Sequence, residues 1–391
     1  MIDAQTTEEM ISVYVGWDKL EEPKGIDIID FYLIQPRKGE EFTSREQVLK
    51  RLRELHESIK PTNSQEKFIR AKLNASIYYI RALMGEDIPF CEYVENITGV
   101  RPQLIPESAI ERQKEVMNEH LKAVGYRPNE ESFEKFYERI RIKKEEAMGQ
   151  VKVCQENLIP IVLKTLGFDD LKLLYDIQFV EVDDYWGAWT STKPDGSFLL
   201  RYNFHPDIKW RRGDIERITL HEVGGHFVQG SNLIKGISSG ELNPFIGVTT
   251  VQDPHTFDGE GTANAILDLP EVEQALSPFS LLSRERVMLE HYLQNNAIIW
   301  TNEGKSAEEI VEYFSDFLFL SKDRLLKSVD RWKNDPSRKA YEYVYGISGY
   351  THRQLLGRLN PEKRKEYLRY AMTRYETPND LIDLMNRLFT R

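Results

Sequence analysis

Up to about residue 150, apolar side chains return every third or fourth position, so each stretch presents one oily and one charged face. Leu49, Leu52 and Leu55 keep that spacing, as do Phe68, Leu73, Ile77 and Ile80, and these aliphatics are expected to be core. Glycines and prolines punctuate the pattern and predict helices over 43–60, 63–85, 88–99, 106–125 and 130–149. Between Leu174 and Trp210 the spacing gives way to β-branched and aromatic runs, and the turn signal Lys193-Pro194-Asp195-Gly196 separates two of them. That predicts a small sheet. Trp186 to Thr192 and Leu199 to Asn203 could offer an edge to an extended peptide, or simply cover the core.

Helical spacing resumes near residue 213, where Asp214 can cap and Ile215, Ile218 and Val223 form a stripe with Leu220 to one side. Ile234 to His255 is rich in Gly, Ser, Asn and Pro, which suits a loop over that helix with the makings of a lid. Later helix starts stand at Ser306, Asp335-Pro336, Asn360-Pro361 and Thr377-Pro378. With no repeat, low-complexity tract or sharp break, the chain reads as one mainly α domain, 1–391. Its parts are a helical region 1–150, a small sheet 174–210 and a second helical region 213–391.

The chemistry concentrates in His221-Glu222-Val223-Gly224-Gly225-His226. Two imidazoles are what a catalytic zinc draws on, and a glutamate beside the first is free to act as base. In a straight helix, positions i and i+5 diverge by about 140°, so these histidines cannot chelate together from a regular helix. Gly224 and Gly225 allow one π-type widening of the turn, which brings the two back into line. For a third ligand, Glu260 in TFDGEGTANAILDL is preferred; Gly261 and Ala263 let two helices approach closely, and Asp258 could accept from a ligating imidazole. His255 and Asp258 are rival ligands, and Glu260 could instead serve a helix N-terminus.

The stretch HEVGGHFVQGSN resembles the HExxxH motif of the tyrosine carboxypeptidase family, which includes the microtubule-associated detyrosinating enzymes and bacterial relatives. In that family a downstream EGxA segment gives the third zinc ligand; here it reads EGTA, Glu260 to Ala263. The chain is also similar to bacterial metallopeptidases with an HE…PGHH…Q motif followed by EGWA, through Gly224 to Gln229 and the late segment Asp335 to Gly346. Both resemblances imply zinc held by His221, His226 and Glu260, with Glu222 as base, in a large helical metallopeptidase-like domain. The chain departs from them at Thr262, where leucine or tryptophan is expected, and in lacking the proline before the second histidine.

Composition narrows the partners. The 52 basic and 63 acidic residues give a net charge of −11, with no basic stripe interleaved with aromatics, which argues against nucleic acid and anionic membrane. Cys91 and Cys154 form no metal or disulfide pattern. An acidic, polar N-terminus and the lack of a long apolar run lead to the expectation of a cytoplasmic protein.

Together these features predict a zinc-dependent peptidase, carboxypeptidase-like, acting on a peptide or amino-acid-derived substrate. On the late helix, Tyr343, Gly346, Tyr350 and Arg353 share a face by three-and-four spacing. Tyr343 and Tyr350 are candidate catalytic donors and Arg353 a candidate clamp for a terminal carboxylate, although tyrosine stripes also build cores. His352, His205 and His291 read as structural. Two alternatives stand beside the peptidase: a metal enzyme acting on a small amino-acid derivative, and an inactive helical scaffold that binds peptides.

Overall fold

Asp3 accepts a hydrogen bond from the Thr6 amide at 2.8 Å and starts a helix, Ala4–Glu21, that buries Met10, Ile11, Tyr14 and Trp17. The acidic residues around this stripe mask it in sequence. In the computed structural model, which describes residues 2–390 apart from 185, 194 and 316–321, helices dominate and one three-stranded sheet accompanies them. The mainly α class is thus the observed one.

The expected N-terminal helices appear as Arg45–Ser58, Ser64–Leu83, Phe90–Thr98 and Glu107–Ala123. The predicted fifth is broken into Phe133–Arg139 and Lys144–Val153. Between the halves, Arg141 bridges to Arg211, the Ile142 amide donates to the Trp210 carbonyl and the Arg212 amide to the Ile140 carbonyl, so this backbone is spent across the fold. A π turn, Cys154–Leu158, then leads into the helix Ile159–Leu166, absorbing Pro160 and its missing N–H.

The sheet has the order β1-β3-β2, where β1 is Tyr175–Val180, β2 Ala188–Thr192 and β3 Phe198–Asn203. β1 runs parallel to β3, and β2 pairs antiparallel to it with Thr192 opposite Phe198 and Ala188 opposite Tyr202. β2 and β3 are the two strands predicted around the turn at 193–196; Pro194 of that signal lies outside the described residues. Since β3 is central, Leu199 to Asn203 is core, and of the two predicted strands β2 is the one at an edge, with β1 at the other.

Four later starts carry the expected caps. Ser306 and Glu309 exchange hydrogen bonds, Asp335 accepts from the Ser337 and Arg338 amides, Asn360 from Lys363 and Thr377 from Asp380. One contiguous hydrophobic cluster runs from Met10 to Leu388, joining the N- and C-terminal helices. Residues 234–255 are not a lid: the helix continues to Ser238, and Phe245, Ile246, Val248, Thr249 and Asp253 are fully buried. Among the described residues, no helix is long and apolar enough to cross a membrane.

Candidate metal centre

The rod 214–238 is continuous but changes pitch: Asp214–Thr219 is α, Leu220–Phe227 π and Val228–Ser238 α again. It begins after Gly213, whose φ of 86° only glycine adopts freely, so Asp214 is the first helical residue rather than the cap. The sheet anchors the rod from one side. Phe198 of β3 stacks on Phe227 at 4.7 Å, and the Tyr202 hydroxyl shares a 2.8 Å hydrogen bond with Thr219. Because the π segment spans the whole His221–His226 interval, the two imidazoles emerge on one side, with their Nε2 atoms 3.3 Å apart.

The third residue arrives from the helix His255–Ile266. A Cβ on Gly225 would lie 2.5 Å from the Ala263 Cβ, so glycine is what lets the two helices touch. A Cβ on Gly261 would run into the His352 ring, which is held by hydrogen bonds with the Ser348 carbonyl at 2.9 Å and the Tyr367 hydroxyl at 3.0 Å. The EGTA helix is thereby wedged between two others, and Glu260 faces the imidazoles: Oε2 is 3.2 Å from His221 Nε2 and Oε1 3.8 Å from His226 Nε2.

These residues fit a small divalent ion. A tetrahedral zinc with bonds of about 2.0–2.1 Å requires ligand atoms about 3.4 Å apart, close to the separations of 3.3, 3.2 and 3.8 Å. All three ligand atoms lie within 4.8 Å of one another. His221 Nδ1 and Glu260 Oε2 are buried with no hydrogen-bond partner, a cost that coordination at this cluster would offset on the Glu260 side. Burial pushes His226 down to about 4, and although burial opposes it, the Glu260 carboxylate holds His221 above the ordinary histidine range.

Glu222, half-buried, lines the same cleft, and burial pushes its carboxyl up to about 7 while His221 pulls the other way. The cleft has a volume of about 1280 Å³ and runs from this centre along β2 to the segment 25–37. The Tyr341 hydroxyl donates to Glu260 Oε1 at 3.4 Å and accepts from Tyr345 at 2.6 Å. Arg338, one turn earlier on the same helix, lies 4.8 Å over the Trp186 ring. Asp30, which sequence reasoning passed over, also lines the cleft, its carboxyl pushed up to about 7 by burial.

Other expected residues lie elsewhere. Tyr343 is fully buried, its hydroxyl accepting from the Gln103 amide at 3.1 Å, and Tyr350 packs edge-on against Tyr292 at 5.7 Å. Arg353 is clamped by Glu285, Asp268 and Gln113 at 2.7–3.1 Å, and Gly346 fits against the backbone of His291. The face 343-346-350-353 of the helix Pro336–Leu356 therefore packs into the protein, and the face carrying Arg338, Tyr341 and Tyr345 looks into the cleft. An aromatic stripe occurs on both faces, so the spacing alone could not choose. Asp258 is held by Thr262 and Tyr367 at 3.1 Å and does not touch either imidazole of the cluster; His255 pairs with Asp253.

No protein-family model matches the chain, and no curated protein matches it. Among solved structures, a "putative lipoprotein" from Colwellia psychrerythraea is similar, with a TM-score of 0.51 and 15% identity, covering 89% of this chain and 67% of that one. At this identity the likeness is one of fold.

Proposed function

We propose that this chain is a zinc-dependent hydrolase of peptide bonds, an exopeptidase of carboxypeptidase type. The reading rests on the convergence of His221, His226 and Glu260 at ligand spacing beside Glu222. Bound zinc would supply a polarised water and a Lewis acid for a carbonyl oxygen. Glu222 takes the proton of the attacking water and returns it to the leaving amine nitrogen. Tyr341, braced by Tyr345, keeps the Glu260 carboxylate in one orientation.

Two features of the cleft support a peptide. Its volume exceeds the roughly 300–1,000 Å³ usual for small-molecule sites, which disfavours a small amino-acid derivative. The edge strand β2 lines it and suits main-chain pairing with an extended substrate. Arg338, in place of Arg353, is the cation on the cleft face of the tyrosine helix that suits a terminal carboxylate. A cytoplasmic location belongs to the same proposal, since Cys91 and Cys154 are free thiols of the kind a reducing compartment maintains; recovery of the native protein in an envelope fraction would overturn it.

The test is a mass-spectrometric screen of a peptide mixture with the zinc-loaded protein, with and without chelator, beside Glu222→Gln. Free-acid peptides lose a C-terminal residue, amidated ones do not, and the variant keeps its zinc while turnover drops about 100-fold or more. Products that persist under chelation, or a variant as fast as the parent, would defeat the proposal.

A further inference from the structure

A second group of ionisable side chains meets the cleft, and the Glu222 scheme leaves it unused. Lys72 and Asp253 are both fully buried and paired at 3.2 Å, with the ammonium 4.9 Å over the Phe245 ring and donating to the Val248 carbonyl. Burial opposes the charge on Asp253, but His255 and Lys72 outweigh it and hold its carboxyl well below the usual range. Its Oδ1 takes both the His255 backbone amide, at 2.9 Å, and the ring Nδ1. The imidazole is further fixed by Tyr375, 4.7 Å away, and it lines the cleft together with Glu222, His226 and Glu260.

Nδ1 is committed to Asp253, so Nε2 is the nitrogen left for a ligand. His255 stands one turn, about 6 Å, before Gly259 on one helix face, and a Cβ on Gly259 would lie 3.8 Å from the His226 ring. The ring thus lines the same cleft as the His221–His226–Glu260 cluster, one turn before the position that meets His226, and is not one of the three residues at ligand spacing. Burying two ions costs several kcal/mol each, and apolar side chains would pin residues 248–254 equally well. What an ion pair adds is a fixed anion behind an imidazole, the arrangement that sets a histidine's tautomer and aim.

We propose that His255 is a catalytic residue that hydrogen-bonds, from Nε2, the carbonyl oxygen on which negative charge grows, with Asp253 and Lys72 as its positioning residues. This rests on the peptidase reading. Asp253 holds the ring at Nδ1 and Nε2–H donates to that oxygen; no bond to the ring is made or broken, and no proton leaves it. Such a donor acts on the transition state and hardly on the bound substrate.

The test compares zinc-loaded full-length parent, His255→Ala and His255→Gln in hydrolysis of benzyloxycarbonyl-Gly-Phe. It also compares their binding of the tetrahedral phosphonamidate of that peptide and of the product benzyloxycarbonyl-Gly. The alanine variant should lose about 100-fold or more in kcat and in phosphonamidate affinity, with KM, product affinity and zinc content little changed. Glutamine, which restores a donor, should recover part of both. If the alanine variant fails to fold, the ratio of phosphonamidate to product affinity in the glutamine variant still carries the comparison. An unchanged kcat and ratio, or loss of zinc from both variants, overturns the role of His255 and leaves the peptidase reading standing. A parent that neither cleaves the peptide nor binds the phosphonamidate overturns both.

Discussion

Replacing Gly225 by alanine inserts one methyl group where the helix carrying His221 and His226 crosses the EGTA helix. The new carbon would lie 2.5 Å from the Ala263 Cβ, against a comfortable carbon–carbon distance of about 3.5–4.0 Å. The helices must part by about 1 Å, and Glu260, one turn before Ala263, moves with its helix. Metal sites tolerate ligand displacements of only about 0.2 Å, so zinc affinity should fall at least 10–100-fold, on the scale of losing a ligand's support. The fold should survive. Overpacking costs about 1–3 kcal/mol, and alanine's better helix propensity returns up to about 1 kcal/mol. Gly224→Ala is the matched control, since its Cβ meets Val162 at an ordinary 3.5 Å; it should keep its zinc and gain up to about 1 kcal/mol. Competition with a chromophoric chelator measures both affinities, and denaturant unfolding of the metal-free proteins measures both stabilities. Equal zinc affinity in the two variants would refute the claim that this crossing sets the ligand triangle.

Arg353→Met should destabilise the protein by about 3–5 kcal/mol, the cost of stripping a partner from a buried ion pair, while zinc content per folded molecule is unchanged; a loss of zinc at unaltered stability would return Arg353 to the site. The pH dependence follows from Glu285, whose carboxyl burial would raise but Arg353 and Arg284 hold well below the usual range. A depressed folded pKa contributes stability above the unfolded value of about 4.3, lost as pH falls below it. Unfolding free energies between pH 6 and pH 3 should therefore fall more steeply in the parent than in Arg353→Met, and parallel curves would refute the assignment. Tyr341→Phe removes the donor on Glu260 and should weaken zinc binding about 10–100-fold; chelator competition giving parental affinity would show that the 3.4 Å contact does nothing for the ligand.

The amino-acid order settled what is local. Histidines five apart around a diglycine can face one another only through a π turn, and Leu220–Phe227 takes that form because hydrogen bonding and side-chain direction are decided within a few residues. Caps at Asp335, Asn360 and Thr377, and the turn after β2, are legible for the same reason. The first helix was not, since acidic neighbours dilute the stripe of Met10, Tyr14 and Trp17, and the burial of residues 245–253 was hidden by a loop-like composition.

Packing alone decided which face of the tyrosine helix sees the cleft. Tyr341 and Tyr345 share the periodicity and chemistry of Tyr343 and Tyr350, and only the wedge of Gly261 against His352 and of Gly346 against His291 turns one pair toward Glu260 and the other inward. Packing likewise brought Asp30 and His255, the latter backed by Asp253 and Lys72, from distant segments to the cleft that Glu222, His226 and Glu260 line. Side-chain spacing encodes direction about a helix axis; what stands in that direction depends on which element arrives there, and that is a property of the whole core.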